Sequence, residues 1–359
     1  MKRVLSFLFL AAFIVSGEVK FPLVYNNKPI VFHPKGIHVW NGRIYVSDRR
    51  HYNIKVFSNT GKFLFKFGDK GEGPGLFKRW FGVFTVSPDG LVLQGDYWGG
   101  NRFLNVFDGN GKFLHTLPIK LNTPFGVEDI HAGNNGRIVL GLSYGFHTNK
   151  REGIVFIGSY YEFFIMKKDG SLKRIEKGLV YHSFSYAENG PNFTIPYQIY
   201  YLSAYYPAMD LLAICKNDES KIQLISLKSM LSVIMNAGWK KERVTRKDLG
   251  EKIKFWTEAS WMRPEGKKLY KKLSPSNLPD PYVPIIADIQ FTPEGNLIVS
   301  RASEWKHIKI RKFNLKGKLL SEFEDVGYPF AITGSKVYLL DCSSDETCYV
   351  IVRDRTGKY

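Results

Sequence analysis

Five acidic or histidine side chains of this 359-residue chain stand where they could form one catalytic or metal site. They are His38, Glu128, Asp129, His131 and Asp288. Each lies in the first predicted strand of a β-rich unit, and in a ring of such units the first strands line the central channel. The alternative is that acidic residues on these inner strands serve only as hydrogen-bonding groups between units. The zinc-protease motif His-Glu-x-x-His is absent from the sequence.

A second group of side chains, aromatic or cationic, falls in the predicted loops within and between the units. The group consists of Arg49, Arg50, His51, Tyr52, Arg79, Trp80, Tyr97, Trp98, Arg102, His147, Trp305, Lys306 and His307. Aromatic rings stack on sugars, and Arg and Lys pair with carboxylates or phosphates. The pattern predicts a binding face, whereas the alternative is that the rings pack between units and the cations are solvated.

Glycine turns recur along the chain and define the units that must position these residues. A Gly followed by Lys or Ser and then a large residue closes a unit at Gly61, Gly111, Gly170, Gly317 and Gly357. A second turn signal precedes most of these, at Gly42, Gly90, Gly136 and Gly295. Gly42 and Gly90 are 48 residues apart, and Gly90 and Gly136 are 46 apart. A period of that length, with about four short strands per unit, predicts propeller blades.

The chain is therefore predicted to be an all-β, six-bladed β-propeller of four-stranded antiparallel blades. The blades are predicted at residues 36–67, 81–117, 125–175, 197–235, 285–323 and from 328 onward. The last blade has only three strands of its own, so segment 19–25 is predicted to supply its outer strand and to close the ring. Pro22 suits such an outermost strand, because its missing N–H then faces outward.

Residues 236–284 interrupt the β pattern between blades four and five. Thr245 and Asp248 have the spacing of a capping box, and the residues that follow have helical periodicity. A second short helix is predicted to begin at Pro264. The insertion contains twelve Lys or Arg and six Asp or Glu residues. As a connection between blades it belongs on the side of the longer loops, opposite the tight glycine turns, where it is predicted to act as a flap or lid.

The N-terminus and the cysteines predict export. Residues 1–17 have a charged start, an apolar run too short to span a membrane and a small-residue cleavage site, which is the pattern of a signal peptide. Residues 18–359 would then be a secreted or periplasmic propeller without a transmembrane anchor. Cys342 and Cys348 flank a short hairpin loop and are predicted to form a disulfide. Cys215 lies in an apolar run and is predicted to be a buried packing residue.

The charge of the chain restricts the partners. With a formal net charge of +18 and an isoelectric point of about 9.6, the protein should attract acidic partners. The candidates are an anionic polymer, a glycan, a peptide or a protein. Nucleic acid would also suit clustered cations with aromatic neighbours, but an exported chain would meet little of it.

The segment from Gly42 to Phe77 resembles the NHL repeat. It contains the run Arg43-Ile44-Tyr45-Val46-Ser47-Asp48, the turn Gly61-Lys62-Phe63 and the linker Gly71-Glu72-Gly73-Pro74-Gly75, and residues 89–113 repeat the order without the linker. The resemblance implies a six-bladed NHL-like propeller of the bacterial exported kind, and such rings act mostly as binding platforms. Related six-bladed lactonases and lyases would require oxygen ligands for a metal, of which Glu128 and Asp288 could supply two. We therefore expect a binding or scaffold protein without a cofactor, and the alternative is a Ca²⁺- or Zn²⁺-dependent hydrolase, lactonase or lyase at the channel mouth.

Overall fold

The computed structural model describes residues 18–26, 28–32, 34, 36–78, 81–96, 102–185, 193–194, 200–258, 264–279, 282–301, 308–325, 329–342 and 348–355. The predicted signal peptide lies outside these residues. No helix in the described part of the chain is long and apolar enough to cross a membrane.

Strands make up most of the described chain. The N-terminal segment contains β1 (Glu18–Pro22), β2 (Val24–Tyr25) and β3 (Lys28–Pro29). Blade one contains β4 (Ile37–Trp40), β5 (Arg43–Asp48), β6 (Asn53–Ser58) and β7 (Phe63–Phe67), and blade two contains β8 (Phe81–Val86), β9 (Val92–Asp96), β10 (Phe103–Phe107) and β11 (Phe113–Pro118). Blade three contains β12 (Phe125–Ala132), a 3-10 turn (Asn134–Gly136), β13 (Ile138–Arg151), β14 (Ile154–Met166), β15 (Leu172–Ser185) and β16 (Phe193–Thr194).

The second half of the chain continues the same order around two helices. Blade four contains β17 (Tyr201–Tyr206), β18 (Leu211–Lys216), β19 (Lys221–Ser226) and β20 (Ser232–Asn236), and the insertion contains α1 (Arg246–Glu258) and α2 (Pro264–Tyr270). Blade five contains β21 (Ile286–Phe291), β22 (Leu297–Arg301), β23 (Ile308–Phe313) and β24 (Leu319–Asp325). Blade six contains β25 (Pro329–Thr333), β26 (Lys336–Cys342) and β27 (Cys348–Asp354).

The blades form a closed ring. Each blade is an antiparallel sheet whose strands follow chain order, and the first strand of every blade contacts the first strands of the blades on either side. The predicted six-bladed propeller is therefore confirmed, with the first strands innermost. Tight turns keep the hairpins short: Asn41 and Gly42 have φ values of 47° and 70° between β4 and β5, as a two-residue hairpin turn requires.

The N-terminal strand completes blade six, as predicted. β1 pairs antiparallel with β27, with Phe21 opposite Val350, and gives this sheet its fourth strand. The Arg353 Nε atom lies 2.6 Å from the Glu18 Oε2 atom across the pair. Phe21 is 7% exposed and packs in one core with side chains of blade one, so this strand also joins the last blade to the first.

Blade three is much longer than the sequence predicts. Its second, third and fourth strands have 14, 13 and 14 residues, and β15 ends at Ser185 rather than near Ile175. We call residues 147–157 and 181–185 the arm of blade three. Ile154, Phe156 and Phe184 are fully buried on the arm because the insertion covers them. The extra strand length thus exists to support a second, smaller hydrophobic core.

The insertion folds as two helices on this arm. At the start of α1 the Thr245 backbone N–H donates to Asp248 Oδ2 at 3.0 Å and the Asp248 N–H donates to Thr245 Oγ1 at 3.2 Å, which confirms the capping box. Leu249 and Leu269 are 2% and 0% exposed and pack with the buried arm residues. Because the arm projects from the side of the β13–β14 turn, the insertion lies on the face of the longer loops, opposite the tight glycine turns.

Candidate functional site

Backbone bulges set the direction of the inner-strand side chains. The register between the first two strands shifts by one residue just before Asp129 in blade three and just before Asp288 in blade five. A bulge of this kind re-aims the residues that follow it. Two carboxylates from separate blades are thereby placed at equivalent positions of the inner ring.

Asp129, His131 and Ser203 form a closed triangle of hydrogen bonds. His131 Nε2 lies 2.7 Å from Ser203 Oγ and 3.3 Å from Asp129 Oδ2, and Ser203 Oγ donates directly to Asp129 Oδ2. In a Ser–His–Asp relay the hydroxyl and the carboxylate occupy opposite nitrogens of the imidazole ring, whereas here both contact Nε2. The triangle is therefore not a nucleophile relay, but it can hold and exchange a proton.

The two inner carboxyl groups have opposite pKa shifts. Burial raises the pKa of Asp288 to about 7, and the negative Asp129 adds to this effect against the hydrogen bond from Gln290 Nε2 at 2.8 Å. For Asp129, burial acts in the same direction, but His131 and the hydrogen bond from Ser203 outweigh it and lower the pKa. Two carboxyl groups whose environments separate their pKa values are typical of acid–base sites.

His38 belongs to the same inner region. Burial lowers the pKa of His38 to about 4, and the nearby His131 adds to that shift. The His38 ring also meets the Phe84 ring edge to face, with centroids 4.8 Å apart. His38 is therefore neutral near pH 7, and it forms an uncharged wall beside the titrating groups.

The predicted metal pair is not assembled. Glu128 accepts a hydrogen bond from Ser143 Oγ at 2.6 Å, whereas Asp288 is bonded to Gln290. Among the described residues, no group of three or more His, Cys, Asp or Glu side chains could hold a metal ion. Glu128 and Asp288 therefore do not form a site for a resident Ca²⁺ or Zn²⁺.

Ser143 also stands at the centre of a Gly-x-Ser-x-Gly sequence at residues 141–145. In hydrolases with that motif the serine occupies a sharp turn between a strand and a helix. Here the whole motif lies inside β13, so it is not a nucleophile elbow.

The predicted binding loop of blade one is largely occupied by its own contacts. Asp48, which is fully buried, accepts the backbone N–H of Arg50 at 3.0 Å and contacts His51 Nδ1 at 2.8 Å. The Arg50 guanidinium lies over the Phe32 ring at 5.0 Å, and Lys70 lies over the Tyr52 ring at 5.4 Å. Arg49 is only half-buried and has contacts of its own. The loop is thus built around a buried carboxylate that the sequence pattern did not single out.

Two further predicted residues also have structural contacts. Arg102 donates from Nη2 to the carbonyl oxygens of Leu121 and Thr123 at 2.6 and 3.0 Å, which ties blade two to blade three. His147 packs its ring 5.8 Å from that of Tyr181 on the arm. The remaining predicted residues lie outside the described part of the chain: Arg79, Trp80, Tyr97, Trp98, Trp305, Lys306 and His307.

The base of the insertion is anchored to the loops of blades four and five. Lys241 Nζ lies 2.5 Å from Asp218 Oδ2, and the Asp218 side chain is fully buried. Arg301 Nη2 lies 2.7 Å from Glu242 Oε1. The insertion is therefore held at both ends, by the arm of blade three and by the rim of its own blades.

The cations of the insertion mostly face solvent. Those that are exposed and form neither an ion pair nor a ring contact within the described chain are Lys240, Arg246, Lys247, Lys254, Lys268 and Lys271. We call this surface the basic platform. It is a fixed, positively charged area on the loop-rich face.

The cysteines lie in blades four and six. Cys342 and Cys348 are opposite each other in the β26–β27 register, and Cys348 is disulfide-bonded. Cys215 is free and buried, and burial raises the pKa of its thiol well above the usual value.

A comparison with known families agrees with the fold. A family model for DUF5128, described as a 6-bladed beta-propeller, matches residues 21–80. This stretch includes the segment on which the NHL resemblance rests. Among curated proteins, no sequence matches the chain significantly.

Solved structures with the same fold come from several bacterial proteins. A protein of Bacteroides fragilis NCTC 9343 described as exported is 12% identical, with 95% of this chain and 96% of that chain covered and a TM-score of 0.50. A DUF4221 member from Bacteroides vulgatus ATCC 8482 is 11% identical over 95% and 98% of the two chains, also at 0.50. A gluconolactonase of Xanthomonas campestris is 10% identical over 93% and 89%, at 0.50. At these identities the likeness establishes the fold alone.

Proposed function

We propose that the protein is an exported binding propeller, built of NHL-like blades, that holds an anionic ligand or partner against its basic platform. The packing of the insertion supports this function. Its apolar side chains are buried against the arm, so its cations are fixed on the outside at the loop-rich face. Clustered like charges attract an acidic partner, and because the backbone that carries them is already folded, binding does not have to order the insertion.

Neutralising two platform lysines should weaken the binding of a polyanion. For Lys247→Gln/Lys254→Gln we expect a loss of about 2 kcal/mol, roughly 30-fold in affinity, from about 1 kcal/mol for each cation removed near an anionic surface. The affinity is measured by calorimetric titration of the protein with dextran sulfate at low salt, and neutral dextran is the control ligand.

The control variant is Lys62→Gln/Lys112→Gln, which removes the same charge from two exposed tight-turn positions. It should bind dextran sulfate nearly as tightly as the unmodified protein does. Added salt should weaken binding by both of these proteins. Equal losses in the two variants would show that binding follows net charge rather than the platform.

A second candidate function is acid–base catalysis at the inner ring, and the separated pKa values of Asp129 and Asp288 favour it. Asp288 can donate a proton near neutral pH, and Asp129, whose pKa is lowered, is ionised there and can accept one. The side chains of Asp129 and His131 are 28% and 17% exposed, so a small ligand in the channel could touch them. General acid–base groups act best with a pKa near the working pH.

Asp288→Asn tests the shifted carboxyl directly. An unfolded Asp loses its proton near 3.8 and the folded one near 7, so the folded chain holds an extra proton between these values. The contribution of Asp288 to stability is thus fully present below about pH 4 and is lost as the pH rises through 7. Because Asn never ionises, the Tm of the variant relative to the unmodified protein should increase from pH 5 to pH 8.

The control for this Tm experiment is a variant of a carboxylate whose charge does not change between pH 5 and pH 8. Glu294→Gln is the control, since an ion pair with Arg355 lowers the pKa of Glu294 to about 2 and keeps it charged over this range. A Tm difference for Asp288→Asn that does not change with pH would contradict the raised pKa.

Catalysis is tested separately, by activity. If the inner ring is catalytic, the unmodified protein hydrolyses a member of a lactone panel and Asp288→Asn abolishes that turnover.

A further inference from the structure

Aromatic side chains fill the space between neighbouring blades at the tight-turn face. Trp40, the last residue of β4, lies on Gly90 and Gly109 of blade two, where a Cβ atom would collide with its ring. Its indole Nε1 donates to the Pro88 carbonyl oxygen at 3.2 Å. Trp40 thus closes the gap between blades one and two.

The same device closes the gap between blades four and five. Tyr206, the last residue of β17, lies on Gly295, and its hydroxyl donates to the Pro293 carbonyl oxygen at 3.1 Å. Pro293 and Gly295 occupy the same places in their turn as Pro88 and Gly90 do in blade two. The aromatic residue at the end of the inner strand is therefore a repeated structural element.

Between blades two and three this element is missing. The corresponding strand, β8, ends at Val86, which packs with the core shared with blade one, and the next residue is the small Ser87. A cavity of about 310 Å³ is present at this point, and Ser87 lies in its wall. That volume is at the lower end of the range for small-molecule sites.

The cavity has an apolar floor and a basic mouth. Leu93, Val106, Ile138 and Met166 line it and are all less than 9% exposed. Exposed polar residues form the mouth, namely Asp89, His115, Lys167 and Lys168, and the half-buried Arg137 stands beside them.

Charges at the mouth favour an anion. Arg137 Nη2 is 3.0 Å from Asp210 Oδ2, and Asp89 Oδ1 accepts the Ser87 hydroxyl at 2.5 Å. Lys167 and Lys168 form no ion pair within the described chain. Two lysine ammonium groups are thus available next to an apolar cavity.

We propose that this cavity binds a small amphipathic monoanion, with its apolar body between blades two and three and its carboxylate at Lys167 and Lys168. The ligand takes the place that Trp40 and Tyr206 fill elsewhere in the ring. The site lies on the face opposite the basic platform and is independent of it.

Calorimetric titration with octanoate and with octanol tests the site. Octanoate should bind saturably and more tightly than octanol. The variant Lys167→Ala/Lys168→Ala should lower the affinity for octanoate about ten-fold or more and leave the affinity for octanol unchanged. Lys62→Ala/Lys112→Ala, at the equivalent turns of blades one and two, is the matched control and should change neither.

Filling the cavity should abolish the binding of both octanoate and octanol. Leu117→Trp places an indole inside it, and His115→Trp, at an exposed position of the mouth, provides a second obstruction if the first variant fails to fold. Absence of saturable octanoate binding, or binding that survives both obstructions, would overturn the site. Equal affinity for octanoate and octanol would overturn the role of the lysines.

Discussion

Replacing Asp48 by Ala is expected to lower the free energy of unfolding by about 3–5 kcal/mol, the cost of leaving a buried charge unpaired. The Asp48 side chain is completely buried, and its carboxylate contacts the Lys55 ammonium, which is itself only 7% exposed. It also accepts the backbone N–H of His51 at 3.2 Å and so fixes the loop between β5 and β6. Urea denaturation followed by circular dichroism measures the change.

The double variant Asp48→Ala/Lys55→Met identifies the cause. With the ammonium replaced by an apolar side chain of similar length, most of the lost stability should return, since no buried charge is left. Asp69→Ala, which removes an exposed carboxylate near the end of the same blade, should cost less than about 0.5 kcal/mol. A loss under 1 kcal/mol for Asp48→Ala would show that the loop does not depend on this carboxylate.

The second large effect is expected at Leu269, which is fully buried in α2 between the insertion and the arm. Truncating a buried leucine costs about 2–5 kcal/mol. The neighbouring Phe184 and Tyr270 rings meet edge to face at 5.0 Å, so a cavity beside them disturbs the apolar packing of α2 on the arm. Leu269→Ala should therefore release the insertion from the arm.

Hydrogen exchange distinguishes release of the insertion from unfolding of the propeller ring. Amides of α1 and α2 should exchange faster in Leu269→Ala, while those of the inner strands keep their protection. Lys268→Ala, at the adjacent exposed position, should leave both unchanged. Unaltered exchange in the insertion of Leu269→Ala would contradict a docked platform.

The regular part of the fold was predictable because it is encoded locally. Gly42 and Gly90 mark hairpin turns with φ > 0, and Pro22 marks an outermost strand, so the blades and the closure of the ring follow from short stretches of sequence. The capping box at Thr245 is equally local. The length of blade three was not predictable, because Phe156 and Phe184 are buried by an insertion that comes much later in the chain.

The candidate sites show the same limit. Asp129, His131 and Asp288 were singled out from their place on the inner strands, whereas Ser203 and Gln290 carry no local signal and matter only through the residues that they bond. From the sequence, Arg50 and His51 are predicted to be free for ligand binding. In the structure the Arg50 backbone N–H and the His51 ring contact the buried Asp48 carboxylate. β5 is buried from Ile44 to Asp48, so the Asp48 carboxylate lies inside the blade and takes these residues as its partners.

Mapping where a polyanion protects the backbone shows whether the basic platform is the recognition surface. Hydrogen exchange of the unmodified protein is measured with and without dextran sulfate at low salt. We expect slower exchange in α1, in α2 and in the adjoining arm of blade three, with no change at the tight turns near Gly61 and Gly111. Protection confined to those turns, or spread evenly over the ring, would contradict a recognition surface on the loop-rich face.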